Sequence, residues 1–462
     1  MSHQDRSSGS TPLNSQQLGR ALQWLLAGVD WKTVAFRQDC SWTPKRLVTA
    51  AILWAWSDEQ TLGERFFAAR RIITHFFPQQ SPPAGSSQAF MKLLRRWTTT
   101  LVGLLQMTLR QRMQQVLSAQ WTTSGFVVFG VDGSRVELPR TKSHQDAYSP
   151  ASWRSGAKRR SRRRKQTAAQ VRKANVPQMW LTTMFHVGTG LPWDWRTGPS
   201  DSSERGHALE MLPKLPEGSL VTADAGFVGY EFARTILTSG RHLLVRAGAN
   251  VRLLQHLGFV RESHGLVYVW TDRAAKRQEP PLVFRLIRAH GPKHPICLLT
   301  SVLSPGTLSE GEVFDLYKQR WGIELFYRHL KQTFGRRKLR STSAWNAAVE
   351  LEWSLAGLWG LGLSAAAELA KTGTSLSRIS VAGVLRAFRR LLRDYLHPVA
   401  PGQTLCRLLR SALIDPYRRK TKQSRDYPRK KKHEVIGVPT ITDASPQQVR
   451  QARLIKTRMQ KG

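Results

Sequence analysis

Residues 317–331 read YKQRWGIELFYRHLK. On an α-helix, at about 100° per residue, Arg320, Glu324 and Lys331 fall at roughly 300°, 340° and 320° relative to Tyr317, a shared wedge of about 60°. The four side chains then line roughly 21 Å of helix at about 1.5 Å per residue. One carboxylate flanked by two cations and a phenol on a single polar stripe suits a helix that holds a metal ion and grips a phosphate chain beside it. The stretch points to metal-dependent chemistry on nucleic acid.

The rest of the chain carries the charge such a role needs. Lys and Arg number 71 against 31 Asp and Glu, a formal net charge of +40, with a pI near 11.3. That excess calls for a polyanionic partner. A membrane surface is the rival, but no segment reads as a spanning helix: the most apolar window, Trp353 to Ala370, carries Glu368 and is bounded by Glu352 and Lys371, so a core helix is expected there. The first residues, MSHQDRSSGSTPLN, lack an apolar core and read as no secretory signal. Cys40, Cys297 and Cys406 are widely separated, which fits neither a disulfide framework nor a zinc site. The 41% hydrophobic content and 16 tryptophans are enough for real cores, and the length has room for about two to four domains.

Upstream, two aspartates stand at the ends of apolar runs. Phe126 to Val131 reads as a buried strand leading into Asp132-Gly133-Ser134, and Leu220 to Ala223 as another leading into Asp224-Ala225-Gly226. Taken alone, Asp132-Gly133 also reads as a surface hairpin turn; the repetition at Asp224 favours two carboxylates held at strand ends. Residues 179–187 read as a strand, and Asp201-Ser202-Ser203-Glu204 as the lead into a short helix ending near Leu212. With Glu324 from a facing helix, Asp132 and Asp224 supply the oxygen ligands that in-line phosphodiester cleavage asks of two hard cations about 3.5 to 4 Å apart. His144, His186 and His207 are not needed as ligands and are expected in structural or DNA-contact roles. Residues 17–118 read as helical, with Thr43-Pro44 a cap and first-turn proline for the run Leu47 to Trp56; a DNA-reading bundle and a bundle without readout are equally compatible. Two dense basic runs, Lys158 to Lys165 (seven of eight residues) and Arg418 to Lys432 (nine of fifteen), are expected to contact DNA and to lie in a poorly ordered tail, respectively.

The spacing Tyr-x2-Arg-x3-Glu-x6-Lys, with Trp321, Ile323 and Phe326 around it, the basic run Arg336 to Arg340 after it and the two aspartates before it, resembles bacterial DDE transposases of the insertion-sequence-four type over about residues 30–435. The resemblance implies an α/β fold: a ribonuclease-H-like catalytic core with a β-strand insertion domain, flanked by helical N- and C-terminal regions. The corresponding division is a disordered N-terminus (1–16), a helical DNA-binding domain (17–120), the core (121–340) interrupted by the insertion at about 241–305, a helical region (341–416) and a basic flexible tail (417–462).

It further implies that Asp132, Asp224 and Glu324 are the catalytic metal ligands for two divalent cations, Mg²⁺ or Mn²⁺. Tyr317, Arg320 and Lys331 would contact DNA near the scissile phosphate: Arg320 bidentately, Lys331 as a point charge and Tyr317 through its hydroxyl. The implied activity is cut-and-paste excision and strand transfer of an insertion sequence through a hairpin intermediate, with water attacking first and the freed 3′ hydroxyl afterwards. The implied partners are double-stranded DNA, as terminal inverted repeats and target, and a second copy in a synaptic homodimer. The expected setting is the bacterial cytoplasm, associated with the nucleoid, without a membrane. Such a hairpin requires a flipped base, and Trp270, the single tryptophan of the β-rich stretch 242–302, is the candidate to receive it. The competing functions are a domesticated or regulatory DNA-binding protein of the same fold that does not transpose, and a ribonuclease-H-like nuclease without strand transfer.

Overall fold

In the computed structural model, which describes residues 12–83, 85–151, 177–263, 265–290, 295–414 and 436–461, the N-terminal part forms α1 (Asn14–Leu26), α2 (Pro44–Trp56), α3 (Leu62–Phe76) and α4 (Ser87–Val116). Each start after α1 is set by a short polar side chain that accepts an otherwise orphaned N–H. Thr43 accepts from Arg46 N with Pro44 in the first turn, Thr61 and Glu64 close a capping box, and Ser86 accepts from Ala89 N. Every residue of α2 from Arg46 to Trp56 is buried.

The middle of the chain builds one mixed sheet. Its strands and intervening helices are β1 (Val128–Glu137), α5 (Lys142–Tyr148), β2 (Gln178–His186), β3 (Leu191–Gly198), α6 (Glu204–Met211), β4 (Leu220–Ala223), α7 (Tyr230–Thr238), β5 (His242–Ala247), β6 (Arg252–Gln255), β7 (Leu266–Val269), α8 (Asp272–Lys276), β8 (Leu282–His290) and β9 (Pro295–Thr300). Then come α9 (Glu310–Gln319), α10 (Gly322–Arg328), α11 (Ala344–Ala370), α12 (Val381–Arg393), α13 (Leu405–Ser411), the short strand β10 (Thr440–Asp443) and α14 (Pro446–Lys461).

Among the described residues the sheet has ten strands in the order β10-β6-β7-β8-β9-β5-β4-β1-β2-β3. β1, β2 and β3 form an antiparallel meander. β4 lies parallel to β1 and β5 parallel to β4, the crossovers passing through α6 and α7. The stretch 241–305 therefore supplies β5 beside β4, and β6 to β9 extend the same sheet beyond it, β9 running antiparallel to β5.

Three local readings differ from the sequence. Asp132 does not end its strand and Asp132-Gly133 is not a turn: β1 runs on to Glu137, paired with β2 throughout. Only the β1–β4 ladder stops short, at Gly130–Thr222. The stretch 417–462 is also not wholly an irregular tail, since β10 pairs with β6 and α14 buries Ala452 and Ile455. Free edge strands invite such pairing, which supplies hydrogen bonds where the segment has few apolar residues of its own. The basic runs Lys158–Lys165 and Arg418–Lys432 lie outside the described residues.

The apolar window Trp353–Ala370 is the core helix expected, the bulk of α11, nearly all of it buried. It joins the N-terminal helices to the sheet. Trp56 Nε1 donates to Gly357 O at 2.9 Å and Trp353 Nε1 to Thr98 Oγ1 at 2.9 Å, while Trp195 Nε1 of β3 donates to Glu352 Oε2 at 2.7 Å. No helix among the described residues is long and apolar enough to cross a membrane.

The α2–α11 contact leaves no room at Gly357, where a Cβ would lie 3.2 Å from both Ala55 Cβ and the Trp56 indole nitrogen. Gly357→Val is expected to lower the unfolding free energy by about 1–3 kcal/mol through overpacking, read as a reduced denaturant midpoint at unchanged slope. An unchanged midpoint would mean that this packing is looser than described.

Candidate active site

Asp132 sits two residues beyond the last β1–β4 pair, and Asp224 follows directly on the end of β4, so both carboxylates stand where the two parallel strands part. Each is fixed by a local N–H: Asp132 Oδ1 accepts from Gly133 N at 2.9 Å, and Asp224 Oδ1 from Gly226 N at 2.8 Å, capping a single helical turn. Glu324 arrives from α10, with its Oε1 4.0 Å from Arg320 Nη2. The structure thus places Asp132 and Asp224 at neighbouring strand positions and sets Glu324 beside Arg320.

Residues 317–331 are not one regular helix. The junction between α9 and α10 is tight, with Trp321, Ile323 and Glu324 donating to carbonyls three residues back (Lys318, Arg320, Trp321) at 3.0 to 3.1 Å. Beyond α10 the backbone widens into a π-turn at His329–Thr333. A three-residue turn overwinds by about 20° per residue relative to an α-helix, and a π-turn underwinds; the two departures oppose each other, and Arg320 keeps both Tyr317 and Glu324 as neighbours. Arg320 lies over the Tyr317 ring at 5.3 Å, its stem against Gly130. Lys331 Nζ donates to Ser134 Oγ at 2.6 Å, on the same strand as Asp132. Arg320 is only 8% exposed, and its Nε is buried without a hydrogen-bond partner.

Burial is the main influence on the ionisable groups of the cluster, with the neighbouring carboxylates adding to it. Burial pushes the Asp132 carboxyl up to about 6, with Asp224 and Glu324 adding to the rise while the Gly133 N–H and Arg320 oppose it. Glu324 is raised in the same way, by burial and Asp224 against Arg320. The Tyr317 hydroxyl is raised and the Lys331 ammonium lowered, burial being the first cause for both. The donors are hard oxygens, and their mutual repulsion is what a divalent cation relieves; the chemistry of the set fits such an ion. As they are placed, no three His, Cys, Asp or Glu side chains among the described residues are gathered to hold one.

Three residues at the site went unread as site residues in the sequence. Tyr327 is buried, and its hydroxyl donates to Asp132 O at 2.7 Å while accepting from Thr183 N at 3.1 Å. Asp132 and Thr183 face each other across β1 and β2. Because Val187 N bonds Val128 O, the antiparallel alternation makes 132–183 a hydrogen-bonding pair; the phenol has inserted itself into the ladder at Asp132. Glu204, in the first turn of α6, rests on Gly133. Trp321, one residue after Arg320, is 57% exposed. Trp321 and Tyr327 had a signal in their place within residues 317–331; Glu204 had none.

Other expectations resolve into structure. Trp270 is 7% exposed with Nε1 donating to Glu279 O at 2.9 Å, so it packs in the core and presents no free face to a base. His144 Nδ1 lies 2.8 Å from Pro139 O, His186 stacks on Trp121, and His207 Nδ1 lies 3.0 Å from Thr182 Oγ1. Burial holds His186 down at about 4, neutral near pH 7. Arg336, from the basic run after the motif, is buried on Ser354 Oγ and Phe334 O.

Residues 123–358, just over half of the chain, match the model of the family described as "Transposase DDE domain". The chain is similar to the transposase InsG for insertion sequence element IS4 of Escherichia coli (strain K12), 30% identical over 200 residues, which cover 41% of this chain and 43% of that protein. It thus spans less than half the length of that relative. A structure of the piggyBac transposase synaptic complex with hairpin DNA aligns over 89% of this chain and 88% of its own, at 11% identity and a TM-score of 0.40, a likeness too loose to carry an argument.

Tyr327→Phe would strand the Thr183 N–H inside the sheet. It is expected to cost about 1–3 kcal/mol of stability, measured by urea unfolding, and a variant as stable as the parent would show that the ladder closes without the phenol.

Proposed function

This chain belongs to the DDE transposase family, and we propose that it is a DNA transposase that excises and inserts an insertion sequence by hydrolysis and transesterification at the element's ends. What supports the reading is the placement of Asp132 and Asp224 where β1 and β4 part, with Glu324 beside the nearly buried Arg320, inside the segment that matches the family. We read the five strands β1 to β5 as a ribonuclease-H-like core, with β6 to β9 as an elaboration of its edge, and the N- and C-terminal helices as a joint helical body around α11.

In this reading Asp132, Asp224 and Glu324 hold two divalent cations, Mg²⁺ or Mn²⁺, which when bound activate water and stabilise the leaving oxygen. The chain's own residues do the rest. Tyr327 fixes Asp132 against β2, and the N–H groups of Gly133 and Gly226 orient the two aspartates. Arg320 balances the carboxylates and turns its remaining donors toward a phosphate. Lys331, held on Ser134, supplies a second positive charge, and Tyr317 sets the guanidinium plane by stacking. The carboxylates are confined while the surrounding charge of +40 is not, which suits a site that draws in a polyanion and cuts at one place. Excision through a hairpin and a synaptic homodimer belong to the same proposal. For a flipped base, the exposed Trp321 beside Arg320 is better placed than the buried Trp270.

Glu324→Gln is expected to abolish Mg²⁺-dependent cleavage of DNA carrying the gene's own flanking sequences while leaving binding within about twofold, since a single ligand carboxylate is removed and the phosphate contacts remain. Normal cutting by this variant would sink the assignment. Binding of the wild type should weaken steeply with salt, log K falling with log salt at a slope of about −0.9 per phosphate neutralised. A flat response in a fluorescence-anisotropy titration would mean that the positive charge serves another partner.

A further inference from the structure

Glu204 stands against Gly133, the neighbour of Asp132, on the face of the sheet opposite the Arg320 stem. Along β1, side chains alternate between the two faces of the sheet. Gly130 and Asp132 share the face on which the Arg320 stem lies, and Gly133 points to the other. On that second face a Cβ at Gly133 would meet Glu204 Oε1 at 2.3 Å and the Trp180 ring at 2.8 Å. Position 133 is therefore kept free of a side chain, and the space is filled by a carboxylate brought in by α6.

The helix that brings it is tied to the second aspartate. The neighbouring Arg205 donates through Nε and Nη2 to Gly226 O at 2.9 and 2.6 Å, on the same turn whose N–H holds Asp224. Ser203 caps α6 by accepting from Gly206 N, and His207 anchors it to β2 through Thr182. Glu204 itself makes no hydrogen bond or ion pair among the described residues, although this chain has more than two cationic side chains for each acidic one. The two nearby cations act on it only through space, Arg205 being bonded to Gly226 O and Arg135 seated over the Trp180 ring at 5.0 Å. A half-buried carboxylate that makes no hydrogen bond or ion pair among the described residues gives up solvation without a partner to offset it. A first-turn acid gains about 0.3–1 kcal/mol from the helix dipole, but that benefit needs no carboxylate packed on the strand of Asp132.

Resting on the transposase reading above, we propose that Glu204 is a fourth carboxylate of the active site, supplying oxygen to the divalent cation from the face of the sheet opposite Glu324. Asp132 and Asp224 then lie between two glutamates, one from α6 and one from α10, so that a cation is enclosed from both faces of the sheet.

The test is direct Mn²⁺ binding to the full-length, metal-free protein without DNA, by calorimetry, comparing wild type with Glu204→Gln, Glu204→Ala, Glu324→Gln and, as a control, Glu217→Gln at an exposed turn. Both Glu204 variants are expected to bind Mn²⁺ about tenfold or more weakly, the scale on which groups supporting a metal site act, with the control unchanged. The metal-free melting temperature of Glu204→Gln should equal or exceed that of the wild type, because a half-buried charge without a bonded partner is replaced by a neutral amide. Glu204 variants that bind like wild type while Glu324→Gln binds weakly would overturn this proposal and leave the transposase site intact. Unchanged binding in both Glu204→Gln and Glu324→Gln would remove the metal site itself. A lower metal-free melting temperature with unchanged Mn²⁺ affinity would reduce Glu204 to a helix-terminus charge and equally overturn the proposal.

Discussion

The Tyr327 hydroxyl, lodged between Asp132 O and Thr183 N, is the contact on which the site's geometry depends. It belongs to the same short helix as Glu324, three residues further on, and touches the backbone of the strand that carries Asp132. Two of the three proposed ligand carboxylates are thereby linked by one buried phenol rather than by separate loops. A strand ladder interrupted by a side chain is a costly local arrangement, since backbone groups inside a sheet are otherwise satisfied by each other. Here both groups keep a partner and gain a fixed position relative to α10.

Two glycines show how the same residue type can mislead and inform. Asp132-Gly133 has the composition of a hairpin turn, and the apolar run ends just before it, so the sequence suggests a strand end. The chain instead continues extended, because what Gly133 provides is absence of bulk where Glu204 and Trp180 close in. Gly357 does similar work in α11 against Trp56. A packing glycine and a turn glycine are indistinguishable until the neighbour is known, and the neighbours here are 71 and 301 positions away. By contrast, the short apolar run before Asp224 and the buried helix at 353–370 follow from local pattern alone.

The stripe of residues 317–331 was legible for a reason the ideal wheel does not contain. The backbone tightens at Arg320–Glu324 and widens at His329–Thr333, and the errors oppose each other in phase. What the sequence could not display was the partner side of the site. Glu204 sits in an ordinary-looking helix start, and Tyr327 looks like one more aromatic on a half-buried helix. The ordered C-terminal segment was equally invisible, because β10 draws its stability from the β6 edge and α14 buries little apolar surface of its own.

The helix α11 also sets the order in which the chain can finish folding. Trp56 takes its hydrogen-bond acceptor from Gly357, 301 residues later, and Thr98 its donor from Trp353, 255 residues later. The four N-terminal helices thus emerge from the ribosome long before the helix that completes their core. At synthesis rates of about 5–20 residues per second that wait is roughly 15–60 s, long against the microsecond formation of single helices. During it Trp56, unlike Trp54, which is already seated on Leu62 and Phe90, lacks its cover, so the nascent chain keeps an apolar surface open while the segment that closes it is still being made.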